Sequence, residues 1–215
     1  MAVAAKICGI NSIDALDAAV TGGAALIGLV FFPRSPRNLT PEQAGALAAL
    51  VPAEITVVGL LVDPDDATLA DIAAKSRIDL WQLHGKETPE RVARIKQLTG
   101  KPVMKAISVA GPEDVASAEA YIGAADRLLF DAKPPADLKD AMPGGNALAF
   151  DWELLGGRSW PCPWMLSGGL DPDNVTQAVA ISGAHAVDVS SGVESAPGVK
   201  DPDRIRAFLY RVAAL

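Results

Sequence analysis

Leu80-Trp81-Gln82-Leu83 is a short, mainly apolar run. Thr88-Pro89-Glu90 follows it, then Arg91 to Leu98 and Gly100, and a second run begins at Val103-Met104-Lys105-Ala106-Ile107. Four to seven residues rich in Val, Ile and Leu suit a strand buried on both faces. Thr88 reads as a helix N-cap, Pro89 as the first helical residue and Gly100 as the stop. The stretch is therefore one strand–helix–strand unit, and a crossover of that size joins parallel strands.

The same unit repeats along the 215 residues. Strand-like runs are predicted at Val3–Ile7, Ala25–Val30, Ile55–Leu61, Leu80–Leu83, Val103–Ile107, Arg127–Phe130, Trp164–Leu166 and Ala186–Val189. Helix starts are expected at Ser12, Thr40-Pro41, Asp65, Thr88-Pro89, Gly111-Pro112, Asp173 and Asp201. Strict alternation over eight units predicts an α/β fold, a (β/α)8 TIM barrel forming a single domain over residues 1–215. A doubly wound open sheet is the alternative; it predicts no closure and rarely uses eight such evenly spaced units. The sixth slot is irregular. Asp131 to Asn146 is rich in proline and glycine, which predicts a long mobile loop followed by a short helix near Trp152 to Leu155.

With 26 acidic and 19 basic side chains the net charge is −7, which argues against a nucleic-acid or anionic-membrane partner. No window reads as a membrane span, and Met1 to Cys8 does not read as a leader. Cys8 and Cys162 cannot build a disulfide framework, so a reducing cytoplasm is expected. Whether the chain works as a monomer or homodimer is left open.

In such a barrel the chemistry belongs at the carboxyl ends of the strands. Strand one ends Lys6-Ile7-Cys8-Gly9, and Lys6 and Cys8 share a face. A thiol beside an ammonium is expected to have a lowered pKa and to serve as base or nucleophile; the alternative is a core-filling cysteine and a structural ion pair. After strand two, Arg34 reads as solvated, whereas Arg37 suits two-pronged binding of a carboxylate or phosphate. Gln82 and His84 share a face, and His84 reads as a support residue. Asp131, at the end of strand six, is a candidate general acid if partial burial keeps it protonated, or else a loop ion pair. Asp63 and Asp188 also stand at strand ends. Ser167-Gly168-Gly169 and Ser190-Ser191-Gly192 place small residues after strands seven and eight, where barrels frequently hold a phosphate on backbone amides. The sequence contains no P-loop, dinucleotide fingerprint or metal-spaced cluster. Cofactor-free, metal-free proton transfer on a small anionic sugar phosphate is the expectation.

Taken together, Lys6-Ile7-Cys8-Gly9, Gly28 to Phe32 with Ser35-Pro36-Arg37, Gln82-Leu83-His84-Gly85, Phe130-Asp131-Ala132-Lys133, Phe150-Asp151-Trp152, Leu166 to Leu170 and Asp188 to Glu194 resemble the phosphoribosylanthranilate isomerase family of tryptophan biosynthesis. The resemblance runs in order over nearly the whole chain. It implies an Amadori rearrangement of N-(5-phosphoribosyl)anthranilate, with Asp131 as the general acid on the ring oxygen and Cys8, as thiolate, as the base at C2. By the same resemblance Arg37 clamps the anthranilate carboxylate, amides around Gly168, Gly169, Ser190, Ser191 and Gly192 hold the phosphate, and Asp188 orients the substrate. Lys6, Gln82 and His84 are supports.

One departure stands out. Gly144-Gly145-Asn146 is followed by Ala147, where the family usually has another glycine, which predicts altered loop motion rather than lost activity. Two rival readings remain. The aminoaldose isomerase of histidine biosynthesis resembles a barrel with aspartates at strands one and five, where this chain has Cys8 and Lys105-Ala106-Ile107-Ser108. A barrel that only senses a phosphorylated metabolite needs neither Cys8 nor Asp131.

Overall fold

The computed structural model describes residues 2–134, 144–145 and 148–215. Eight parallel strands close into a barrel in chain order: β1 Ala4–Cys8, β2 Leu26–Phe31, β3 Thr56–Leu61, β4 Leu80–Leu83, β5 Val103–Val109, β6 Arg127–Ala132, β7 Trp164–Leu166 and β8 Ala186–Val189. Closure is made by β8 against β1, with Lys6 level with Asp188, and an open sheet is ruled out. β4, β7 and β8 have the bounds expected from the sequence, and β6 runs two residues further, so Asp131 lies within it.

The strands alternate between two apolar environments. Ile7, Ile27, Val57, Trp81, Val103, Phe130 and Val187 pack outward against the helices. Leu26, Val58, Leu80, Met104, Leu129 and Met165, one residue out of step, form a separate cluster inside the barrel. Period two thus sends Lys6 and Cys8, Gln82 and His84, Asp131, Ser167 and Asp188 inward. The polar residues occupy the upper part of an interior whose floor is apolar.

The helices are α1 Ile13–Thr21, α2 Pro41–Ala48, α3 Asp66–Lys75, α4 Pro89–Thr99, α5 Pro112–Ser117, α6 Val175–Ser182 and α7 Pro202–Ala213. Ser12, Thr40, Asp65, Thr88 and Asp201 cap their helices through side-chain oxygens, each cap worth about 1 kcal/mol. The expected start at Asp173 is off by one. Asn174 is the cap residue of α6, and Asp171 Oδ1 accepts from the amides of both Asp173 and Asn174.

In the sixth slot the short helix is a single 3-10 turn, Trp152–Leu154. Most of the loop read between Asp131 and Asn146, and the question raised by Ala147, lie outside the described residues. One element was not foreseen: after β8, β9 Glu194–Ala196 and β10 Val199–Lys200 form a small antiparallel hairpin. Among the described residues no helix is long and apolar enough to cross a membrane.

Candidate active site

At the carboxyl ends of the strands a cavity partly open to solvent receives Cys8 from β1 and Asp131 from β6. Arg37, His84 and Asp188 share its wall. Gly168, Gly169, Ser190 and Ser191 line it beside β7 and β8. Lys6 and Gln82 lie beneath, both fully buried. Gly192 is not on the wall; it sits behind Ser191, where the Leu170 carbonyl leaves no room for a Cβ.

Asp131 is 4% exposed. Its Oδ1 accepts from the Ala132 amide at 3.0 Å. Oδ2 stands 3.2 Å from His84 Nε2, without the alignment of a hydrogen bond. The other ring nitrogen of His84 meets Gln82 Nε2 at 3.2 Å. Gln82 and His84 are thus joined to each other, with the His84 ring beside Asp131. Gly144 comes down on the same pair: a Cβ there would lie 2.5 Å from Asp131 Oδ2 and 2.7 Å from His84 Cε1.

Cys8 corrects one expectation. Burial pushes its thiol up, and the Lys6 and Lys200 ammoniums pull in the other direction without overcoming it. Lys6 is a weaker activator than its position suggests because Asp188 neutralises much of its charge. Lys6 Nζ donates to Asp188 Oδ1 at 2.9 Å, and Asp188 in turn opposes thiolate formation. Ser167 Oγ completes the pair at 3.2 Å from Asp188 Oδ2.

Arg37 also differs from its expectation. It is buried, and Nε and Nη2 donate to Glu194 Oε1 and Oε2 at 2.6 and 2.8 Å. One two-pronged edge of the guanidinium is thus occupied by the protein itself, and Nη1 lies beside Gly145, where a Cβ would be 2.7 Å from it. Arg34 is exposed, as read.

The residues missed are Glu194 and Lys200, both buried. Lys200 Nζ donates to Glu194 Oε1 at 2.7 Å and to the Ser190 carbonyl at 2.9 Å. Burial holds its ammonium below the ordinary lysine range despite Glu194. For Glu194 burial works against ionisation, but the bonds from Arg37 and the charge of Lys200 prevail and hold it below the usual carboxylate range. Pro197-Gly198, lying between Glu194 and Lys200, is the turn signal that could have marked this hairpin.

Other strand-end groups are elsewhere. Lys105 turns outward and is paired with Glu87 at 2.8 Å, so it offers no acid or base to the cavity. Asp63 is exposed, at φ 48°, its Oδ1 accepting from the Lys86 amide at 2.7 Å.

The phosphate expectation has a physical basis in the backbone. Gly168 and Gly169 have φ of 88° and 64°, in the left-handed region, and a Cβ on Gly168 would lie 2.6 Å from the Ala132 nitrogen. The 3-10 turn Ser191–Val193 leaves its first amides without a partner inside the turn.

Comparison with known proteins agrees with this architecture. Residues 5–211 match the family model described as N-(5'phosphoribosyl)anthranilate (PRA) isomerase. A protein of Paramagnetospirillum magneticum named N-(5'-phosphoribosyl)anthranilate isomerase is 59% identical over 209 residues, 97% of this chain and 96% of that one. The crystal structure of phosphoribosyl anthranilate isomerase from Thermotoga maritima superposes with a TM-score of 0.86 at 34% identity, covering 99% of this chain and 100% of that one. A structure of the same enzyme type in complex with reduced 1-(o-carboxyphenylamino)-1-deoxyribulose 5-phosphate gives 0.83 at 32% identity, with 99% and 100% covered. With the barrel, the cavity and these matches in agreement, the chain belongs to the N-(5'-phosphoribosyl)anthranilate isomerase family.

Proposed function

We propose that Cys8 and Asp131 divide the acid–base work of an Amadori rearrangement in this cavity. The chain is an isomerase of tryptophan biosynthesis that converts N-(5-phosphoribosyl)anthranilate into 1-(2-carboxyphenylamino)-1-deoxy-D-ribulose 5-phosphate. The observation that carries the division of labour is that Cys8 from β1 and Asp131 from β6 line the same cavity.

Asp131 gives a proton to the ring oxygen of the sugar. The C1–O bond breaks, and the nitrogen lone pair closes a protonated Schiff base at C1. Cys8 takes the proton from C2, and the electron pair moves to form the C1–C2 double bond while the nitrogen regains its lone pair. The resulting enolamine then loses its enol proton and gains one at C1, which yields the ketone with no net change in protons or electrons. Cys8 can take the C2 proton only as the thiolate, so the proton its thiol holds at rest passes to solvent before that step. Lys6 and Lys200 stabilise the thiolate when it forms.

Substrate binding follows the cavity wall. The amides of Gly168, Gly169, Ser190 and Ser191 take the phosphate, the Nη1 end of Arg37 takes the anthranilate carboxylate, and Asp188 accepts a sugar hydroxyl on lone pairs that Lys6 and Ser167 leave free. Two unpaired cysteines suit a cytoplasmic setting.

Cys8→Ser and Asp131→Asn test the proposal. Each is expected to lower kcat by about 10²–10⁴-fold, the usual scale of a lost acid or base, with KM within a few-fold. A near-normal rate in either variant removes that residue from the mechanism. Turnover of the histidine-pathway aminoaldose alone would overturn the substrate assignment.

A further inference from the structure

We propose that Glu194 is a specificity-determining positioning residue: it aims the Arg37 guanidinium at the aryl carboxylate and, through Lys200, ties that aim to the wall carrying Cys8. The proposal rests on the reading of Arg37 given above.

The Glu194 carboxylate is saturated. Oε1 accepts from Arg37 Nε at 2.6 Å and Lys200 Nζ at 2.7 Å. Oε2 accepts from Arg37 Nη2 at 2.8 Å and the Gly198 amide at 3.2 Å. A buried carboxylate with four donors has little capacity left for substrate; what it does is hold. Two bonds to one guanidinium fix its plane as well as its position. The ends of Nη1 and Nη2 that remain are then presented in one orientation, next to the Gly145 carbonyl at 3.4 Å from Nη2.

The carboxylate is itself on a fixed support. Gly198, at φ 80°, is pressed so close to Pro36 that a Cβ would lie 2.6 Å from its carbonyl oxygen. Asn11 Nδ2 donates to the Gly198 carbonyl at 2.9 Å. Arg204 Nη1 donates to the Glu194 carbonyl at 2.9 Å. The hairpin is thereby pinned to the loop preceding α1, to the loop bearing Arg37 and to α7.

Lys200 carries the connection onward. It bonds Ser190 through its carbonyl and hydroxyl oxygens, and Ser190 Oγ donates to the Cys8 carbonyl at 3.2 Å. Two cations around one anion leave a surplus positive charge at this end of the cavity, which suits an anionic substituent.

The test compares kcat and KM on the phosphoribosyl adducts of anthranilate and of aniline, which lacks the carboxylate. In Glu194→Gln the ratio of kcat/KM between the two adducts is expected to fall about tenfold, the scale of one misplaced charge-assisted hydrogen bond, mainly through a higher KM for the anthranilate adduct. Arg37→Met is expected to lower the ratio further, and Arg37→Met/Glu194→Gln to match Arg37→Met alone. Equal losses on both adducts, or additive losses in the double variant, would show a purely structural role and overturn the proposal. If Glu194→Gln does not fold, Glu194→Gln/Lys200→Met, which removes a cation together with the anion, is judged by the same ratio. An unchanged ratio in Arg37→Met would overturn the reading of Arg37 and this proposal with it. A lowered ratio in Arg37→Met with an unchanged one in Glu194→Gln would overturn the proposal alone.

Discussion

Lys6 Nζ donates to Asp188 Oδ1 at 2.9 Å across the inside of the barrel, and neither side chain is more than 5% exposed. The bond joins the first strand to the eighth, at the level where their backbones pair. Two ions out of water are stable there only as a pair, and Ser167 takes part of the remaining acceptor capacity of Asp188.

Lys6→Met leaves Asp188 buried without its counter-charge. The expected loss of stability is about 3–5 kcal/mol, read as a lower urea midpoint. Lys6→Met/Asp188→Asn should recover part of it. A loss under about 1 kcal/mol in the single variant is the value of a solvated surface pair, and would mean the interior is wetter than its burial implies.

The raised Cys8 thiol makes a prediction about pH. In the folded protein Cys8 keeps its proton above the ordinary thiol range, so iodoacetamide should modify it slowly at neutral pH, with a rate that climbs only above that range. Lys200→Met should move the climb higher still, because that ammonium favours the thiolate. The sign for stability follows from the tighter proton binding of the folded state: the contribution of Cys8 is full below the ordinary thiol pKa and is lost as pH rises above it. Fast alkylation at neutral pH in the ligand-free protein would contradict this.

Gly28 supplies the space in which the sulfur sits. A Cβ at that position would stand 2.9 Å from Cys8 Sγ and 3.2 Å from Lys6 Cε. Gly28→Ala is therefore expected to cost about 1–3 kcal/mol by overpacking and to lower kcat much more than it raises KM. Wild-type kcat in this variant would show that the sulfur can shift without consequence.

Glu87 provides the contrast. It accepts from the amides of Asp63 and Gly85 and from Lys105 Nζ, outside the cavity. Glu87→Gln should destabilise by about 3–5 kcal/mol through the unpaired Lys105 while kcat of the folded fraction stays within a few-fold. A selective loss of kcat would mean that this brace sets the position of His84.

The barrel was legible because its strands are buried on both faces and come in uniform units, so apolar runs and cap residues mark them without reference to partners. The inward row of Cys8, His84, Asp131 and Asp188 was legible for a related reason: alternation, counted back from each strand end, settles which side chains face the middle. The behaviour of the Cys8 thiol was not, because it depends on how completely neighbours from other strands exclude water and on Asp188 cancelling Lys6. Glu194 and Lys200 were hidden by distance along the chain. Arg37 lies 157 positions from its carboxylate, and a lysine and a glutamate flanking a short turn look like ordinary surface charges until the fold brings that arginine onto the glutamate.

The pairing of β1 with β8 has a consequence for the nascent polypeptide. Cys8 precedes β2 in the chain, whereas Asp188, Ser190, Glu194 and Lys200 all follow β7 and are translated after it. Until those are synthesised, Lys6 has no counter-ion and Arg37 no anchor. The strand that brings Asp188 to Lys6 is also the one that seals the cylinder.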